Sequence, residues 1–321
     1  MILHVTLYFA LIVKRRVSCQ SASVLIHSMQ SIMAISGSIQ SHLLRMLFDE
    51  EWVIGVRRSA VSNLPREGID GCALLEPPIG SHYADPFVIS EGGVIYTFFE
   101  AWGGHTHKGV ISFAMIDYRG RWSAPQVALE RPYHLSYPFV FKWRDEFYML
   151  PETCQNHTIE LYHATKFPAT WELSSVLMKN VDAVDSTLFE EDGRWWMFTT
   201  GMGDSIARFR HLLVFHACSP YGPWQPHPLN PVVDDLSSAR GAGQLFVDNG
   251  QLIRPGQDCR YRYGHAITWN RIDVLTDYEY LETRVATLRP KLIEGWLATH
   301  TFNQVGEWQV FDGKRITGRL R

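Results

Sequence analysis

Cysteine is sparse in this chain of 321 residues, and what there is does not pair by spacing. Cys19, Cys72, Cys154, Cys218 and Cys259 are odd in number and far apart, with no Cys-x-x-Cys, which indicates neither a zinc site nor a disulfide framework and fits a reducing, cytoplasmic compartment. Basic excess is missing too. The formal net charge is -3 and no basic patch occurs, so a nucleic-acid partner is not expected. The sequence has no Walker loop, no Gly-x-Ser-x-Gly elbow and no dinucleotide fingerprint. No uncharged stretch after the N-terminal region is long enough to cross a bilayer. The sequon Asn156-His157-Thr158 bears on the surface only if the chain is secreted.

Acidic residues are absent from positions 1–48. Met1 to Val13 is mostly apolar, Lys14-Arg15-Arg16 follows, and eight serines fall between Ser18 and Ser41. A secretory signal carries its charge before the apolar run, and 13 residues are too few to span a membrane. Serine-rich, acid-poor composition suits a transit peptide, and a start at Met46 suits the sequence as well. Residues 1–48 are therefore expected to be a poorly structured extension or no part of the native fold, and residues 49–321 the folded domain.

What is abundant is repetition. "ADPFVISEGGVIYTFFEAW" from Ala84 and "SYPFVFKWRDEFYMLPET" from Ser136 share one plan, and "VDSTLFEEDGRWWMFTTG" from Val184 follows it. "GAGQLFVDNGQLIRPGQD" from Gly241 and, more weakly, "LATHTFNQVGEWQVFDGK" from Leu297 complete the set. The aligned second residues are Asp85, Tyr137, Asp185, Ala242 and Ala298, spaced by 52, 48, 57 and 56 residues. Each copy reads as a short apolar run, a turn such as Asp192-Gly193 or Asn249-Gly250, and an aromatic run, which is the pattern of a β-hairpin. A third strand follows in several copies and ends near Trp122, Trp171 and Trp224, expected to pack between repeats. Repeats of this period point to an all-β, five-bladed propeller whose blades bury their faces only against one another. Inner strands are expected near 85–90, 137–142, 185–190, 242–247 and 298–304.

In a propeller, inner-strand starts meet at one end. Asp85, Tyr137, Asp185 and Ala242 should converge there, rimmed by the second-strand ends Glu100, Glu152, Thr200 and Gln257. Converging carboxylates suit glycoside hydrolysis, in which one is base and another, with a raised pKa, is acid. Alternatively, Asp85 before Pro86 and Asp185 before Ser186 cap turns.

The motifs "YADPFV" and "VDSTLFEEDGRWWMF" resemble those of five-bladed propeller glycosidases of the arabinanase and β-xylosidase type. That resemblance implies Asp85 as general base, Asp185 as the residue that tunes the acid and orients substrate, and inversion of configuration. Those enzymes carry the acid as a Glu at the start of blade four, where this chain has Arg240-Gly241-Ala242. Arginine cannot donate a proton near neutral pH, so Glu152, Glu100 or Asp258 would have to act, or the site binds without cleaving. Arg240 would clamp an anionic group or pair with a neighbouring carboxylate. Several such propellers hold a channel cation beside a His, which places His300 there; no other cofactor is expected. Tyr137, Gln257 and Asp258 are further candidates to contact sugar.

A wider resemblance runs from Trp52 onward. "HLSYPFVF", "YMLPET", "GPWQPHPLNPVV", "RPGQDC" and "THTFN" are similar to the N-terminal domain of plant glucosamine inositolphosphorylceramide transferases and to bacterial stand-alone relatives. It implies a carbohydrate-linked propeller, with the separate glycosyltransferase domain of the plant proteins absent here. Two functions follow as expectations: a glycosidase-like enzyme acting on a glycan or glycolipid headgroup, or a non-catalytic recognition module serving a glycosyltransferase partner. A purely structural scaffold is the third reading.

Overall fold

The aromatic runs and their turns form hairpins in the computed structural model, which describes residues 48–59, 64–65, 68–69, 71–103 and 108–318. The first strands in the chain, β1 (Phe48–Arg58) and β2 (Ala73–Leu75), belong to the last blade. Blade one is β3 (His82–Glu91), β4 (Val94–Trp102), β5 (Gly109–Ile116) and β6 (Gln126–Leu129). Blade two is β7 (Ser136–Trp143), β8 (Glu146–Thr153), β9 (Thr158–Lys166) and β10 (Thr170–Lys179). Blade three holds β11 (Ala183–Glu191), β12 (Arg194–Gly201), β13 (His211–Ala217) and two short strands, β14 (Gln225–Pro226) and β15 (Val233–Asp234). Blade four is β16 (Phe246–Asp248), β17 (Gln251–Asp258), β18 (Ala266–Leu275) and β19 (Tyr280–Leu288). Blade five closes the ring: β20 (Trp296–Ala298), β21 (Phe302–Val305) and β22 (Trp308–Gly318) take β1 and β2 as outer strands. β1 pairs with β22 from Phe48↔Gly318 to Arg58↔Trp308. The chain is thus a five-bladed propeller, held shut by a strand that the repeat pattern did not reveal.

The hairpin turns explain why the copies look alike. Gly92-Gly93, Arg144-Asp145, Asp192-Gly193 and Asn249-Gly250 all have positive φ at both central positions. Two such residues make the turn whose twist matches the strands it joins.

Each pair of neighbouring blades encloses its own apolar cluster. Phe98, Ile111 and Phe113 of blade one meet Val140, Phe147 and Trp171 of blade two. Trp196 and Phe198 of blade three face Leu252 and Ile272 of blade four, and Trp269 of blade four meets Phe302 and Phe311 of blade five. Trp171 is buried, while Trp122 and Trp224 are half-buried against their clusters, as interblade packing requires. Burying one such ring is worth about 1.5–3 kcal/mol, so five interfaces hold the ring together where no single blade could.

Two inner strands depart from expectation. Blade four begins with an isolated bridge, Gly241↔Gly256, and only β16 is a strand. Gly243 there has φ 131°, and a Cβ on it would lie 1.9 Å from the Phe302 carbonyl oxygen, so the chain crosses against blade five instead of pairing. In blade five the ladder breaks at Thr299-His300-Thr301, because the N–H groups of His300 and Thr301 donate to Asp312 Oδ1 at 2.8 and 2.9 Å. The extension expected over residues 1–48 falls, except for Phe48, outside the described residues.

Candidate active site

Three inner strands carry the same defect at the same place. Pairing shifts register between Ala84 and Phe87, between Ser136 and Phe139, and between Val184 and Thr187. The bulged residues Asp85, Tyr137 and Asp185 have φ of 52°, 45° and 52°. That left-handed conformation costs a non-glycine residue about 1–2 kcal/mol, and a bulge re-aims its side chain. All three side chains are buried and reach other blades.

Asp85 Oδ1 accepts a hydrogen bond from Thr301 Oγ1 at 2.8 Å, and the Asp85 N–H donates to Asp312 Oδ2 at 3.2 Å. His300 Nδ1 pairs with Asp312 Oδ2, and its Nε2 lies 3.8 Å from Asp85 Oδ1. Trp52 stacks on the His300 ring at 4.0 Å. Blade five therefore supplies the surroundings of the blade-one aspartate. The opening between blades three and four is built the same way. Arg240 Nε donates to Asp185 Oδ2 at 2.6 Å, and Gln257 Nε2 donates to the same oxygen at 3.3 Å and to the Gly241 carbonyl at 2.7 Å. Among the described residues neither aspartate accepts a bond from its own strand, so turn capping does not account for them.

Glu152 sits 4.0 Å from Arg240 Nη2. Glu100 faces His134 Nε2 at 3.3 Å. His134 Nδ1 accepts from the Gly109 N–H at 2.8 Å, which puts the neutral ring's proton on Nε2, toward Glu100. Glu100 and Glu152 are the more open pair, with side chains 16% and 14% exposed against 6% for Asp85 and 3% for Asp185.

Crowding of carboxyl groups sets their acidity. Burial, then the charges of Asp185 and Asp312, lift Asp85 to about 6, with His300 and Thr301 pulling the other way. Burial, then Asp185, lift Glu152 to about 8 against the pull of Arg240. Burial and the charges of Asp85, Glu152 and Asp185 hold Glu100 well above the usual carboxylate range. Burial opposes charge on His300, but Asp312 and Asp85 outweigh it and its pKa is raised. Near neutral pH the cluster thus offers an ionised Asp85 and a protonated Glu152.

The remaining expected residues are placed differently. Tyr137 is fully buried in the core and its hydroxyl spans to blade four, accepting from the Gly243 N–H at 2.7 Å, so it is a strut and not a ligand contact. Asp258 is buried and paired by Arg260 Nη2 at 2.7 Å and Nε at 3.0 Å. Ala242 packs in the core between blades four and five. Asp312, which organises half of the site, was not among the sequence candidates. One ligand atom each from Asp85, His300 and Asp312 lie within 4.8 Å of one another, a set able to hold a metal ion. Such an ion would displace the proton that the two aspartates favour on His300.

Fold and site together define a five-bladed propeller domain with an acidic cluster at its inner-strand starts. The family model described as "Glucosamine inositolphosphorylceramide transferase 1, N-terminal" matches residues 72–301, and the chain belongs to that family. It is 40% identical over 206 residues to glucosamine inositolphosphorylceramide transferase 1 of Oryza sativa subsp. japonica, covering 63% of this chain and 28% of the relative. It is 38% identical over 208 residues to the Arabidopsis thaliana protein of that name, covering 63% and 27%. The match thus spans little more than a quarter of these relatives. Among solved structures, Zg3597, a family 117 glycoside hydrolase of Zobellia galactanivorans, superposes with a TM-score of 0.54 at 11% identity over 82% of this chain and 90% of that one, which shows the shared fold.

Proposed function

We propose that this propeller hydrolyses a glycosidic bond in a glycan or glycolipid headgroup, with Asp85 as general base and Glu152 as general acid. The observation that carries the reading is the gathering of buried carboxyl groups at the inner-strand starts, with Glu152 4.0 Å from Arg240 Nη2 and Asp185 2.6 Å from Arg240 Nε, where burial and neighbouring charge push Asp85 up to about 6 and Glu152 up to about 8. Two carboxyl groups so separated can be ionised base and protonated acid at the same pH. Asp85 takes a proton from water as its oxygen attacks the anomeric carbon, and Glu152 gives its proton to the departing glycosidic oxygen. Asp185, held by Arg240 and Gln257, orients substrate and the acid. Glu152 then does the work that a blade-four Glu does in the enzymes it resembles. If a cation binds, Asp85, His300 and Asp312 would hold it and it would add positive charge beside the base.

A second reading, glycan recognition without turnover, has its own support. Arg240 stands where the resembled enzymes carry their acid, and the named relatives are transferases of which this chain matches about a quarter. Aryl glycosides and purified glycans, assayed for cleavage and binding on one panel, decide between the two. Turnover abolished in Asp85→Asn supports the enzyme; saturable binding with no turnover on any member supports recognition.

A further inference from the structure

Glu100 and His134 form a pair that the hydrolytic roles leave unused. Glu100 lies opposite Ala84, the residue before the bulged Asp85, and His134 leads into blade two. Glu100 Oε1 faces His134 Nε2 at 3.3 Å, with the side chains 16% and 33% exposed. Among the described residues neither Glu100 Oε2 nor His134 Nε2 has a hydrogen-bond partner. A carboxyl acceptor and an imidazole nitrogen thus stand side by side at the rim of the cluster, each with capacity to spare.

The backbone around His134 fixes which nitrogen is free. Nδ1 accepts from the Gly109 N–H at 2.8 Å, and the His134 N–H donates to Gln155 Oε1 at 2.5 Å. The Leu135 N–H donates to the Gly109 carbonyl at 3.1 Å, so Gly109 holds this segment by both of its backbone groups. Gly109 begins β5, beside the strand that carries Glu100, and Gln155 follows the end of β8, which carries Glu152. No other residue fits at Gly109: a Cβ would lie 2.4 Å from the Leu135 carbonyl oxygen, 2.8 Å from Glu100 Oε1 and 2.8 Å from His134 Cε1. A proton on Nδ1 would point at the Gly109 N–H, donor against donor, so His134 stays neutral with its hydrogen on Nε2 unless that bond breaks. Burial lowers the His134 pKa, in the same direction.

We propose that Glu100 and His134 form a subsite that grips one hydroxyl of a bound sugar, Glu100 accepting its hydrogen and His134 Nε2 donating to its oxygen. A hydroxyl is donor and acceptor at once, and a fixed acceptor beside a fixed donor matches both halves. Stereoisomeric sugars differ in where a hydroxyl points, and a site built to hydrogen-bond one rejects an analogue that lacks it. The inference rests on the sugar-site reading given above, and on neither turnover nor the identity of the acid.

Asparagine and glutamine separate the two ring nitrogens. In His134→Asn the amide oxygen can still take the Gly109 N–H, but no donor reaches the hydroxyl. In His134→Gln the amide nitrogen can reach the hydroxyl, but the Gly109 bond is lost. Titration calorimetry on the whole chain with cellobiose, maltose, lactose and xylobiose reads the effect. For the tightest-binding of these, His134→Asn should weaken binding about tenfold with little change in melting temperature. His134→Gln should melt lower yet bind more tightly than His134→Asn. Among monodeoxy analogues of that sugar, the one lacking the gripped hydroxyl should bind the unmodified chain and His134→Asn equally. Affinity that simply follows melting temperature across the variants, or a loss in His134→Asn that is the same for every analogue, overturns the subsite. If the unmodified chain binds a sugar and His134→Asn binds it as tightly, the subsite alone fails. If the unmodified chain binds none, the sugar-site reading fails and the subsite with it. NMR of the histidine-labelled chain needs no ligand: a His134 ring protonated on Nδ1 near neutral pH contradicts the assigned donor.

Discussion

Arg240 Nε lies 2.6 Å from Asp185 Oδ2, and both side chains are buried. The pair joins blades three and four beneath Phe209 and Tyr263, whose rings lie 5.3 and 4.8 Å from the guanidinium carbon. Removing one partner of a buried pair costs about 3–5 kcal/mol, because the other charge is left uncompensated. Arg240→Ala should therefore lower the melting temperature sharply. Arg240→Lys keeps the charge but loses the fork and the donation to the Arg208 carbonyl, so it should melt between the two. Arg240→Ala that melts like the unmodified chain would contradict this role.

Gly241 leaves no room for a side chain. A Cβ there would lie 2.9 Å from the Asp185 carbonyl oxygen and 2.9 Å from the Tyr137 hydroxyl. Gly241→Ala should cost about 1–3 kcal/mol, the usual penalty of overpacking. It should also displace Asp185, reducing binding along with stability. Chemical denaturation and glycan binding on the same variant check both effects.

Stability should fall as pH rises through the range in which the cluster ionises. Asp85 and Glu152 have folded-state pKa values of about 6 and about 8, above their ordinary values of 3.8 and 4.5. The folded state therefore binds protons more tightly than the unfolded chain between those limits, and unfolding free energy declines with pH there. The cost is absent below about pH 4 and complete once both groups have ionised. Glu152→Gln, which cannot ionise, should flatten the alkaline part of the decline. A melting temperature that rises from pH 5 to pH 8 in the unmodified chain would contradict the assigned environment.

The repeat made much of this legible. Positive-φ turns favour Gly, Asn or Asp, and Gly92-Gly93, Asp192-Gly193 and Asn249-Gly250 announce their hairpins where Arg144-Asp145 does so only in part; the alignment of copies put Asp85 and Asp185 at one structural position. Other parts were hidden for physical reasons. β1 pairs along its whole length with β22, at the other end of the chain, and its only nearby partner among the described residues is the three-residue β2. Asp312 precedes Gly313, so it looks like another turn dipeptide, yet its carboxylate gathers the N–H groups of Asp85, His300 and Thr301. Tyr137 aligns with the two aspartates, but a long apolar side chain in that bulge packs into the core, and only its hydroxyl reaches across to Gly243.

Asp85→Asn preserves size and the contact with Thr301 but cannot act as a base. With a cleavable glycan it should reduce turnover by roughly 10²–10⁴-fold while leaving glycan binding and melting temperature little changed. Unchanged turnover would remove Asp85 from the chemistry.

The most direct test is the pH dependence of kcat/KM for a cleaved glycan, in the unmodified chain and in Glu152→Gln. Activity requires Asp85 ionised and Glu152 protonated, so the profile should be a bell with limbs near 6 and 8. In Glu152→Gln the residual activity should lose its alkaline limb and keep the acid one. A Glu152→Gln profile that still falls near pH 8, or glycan binding with no turnover at any pH, would contradict the assignment of Asp85 and Glu152 as base and acid.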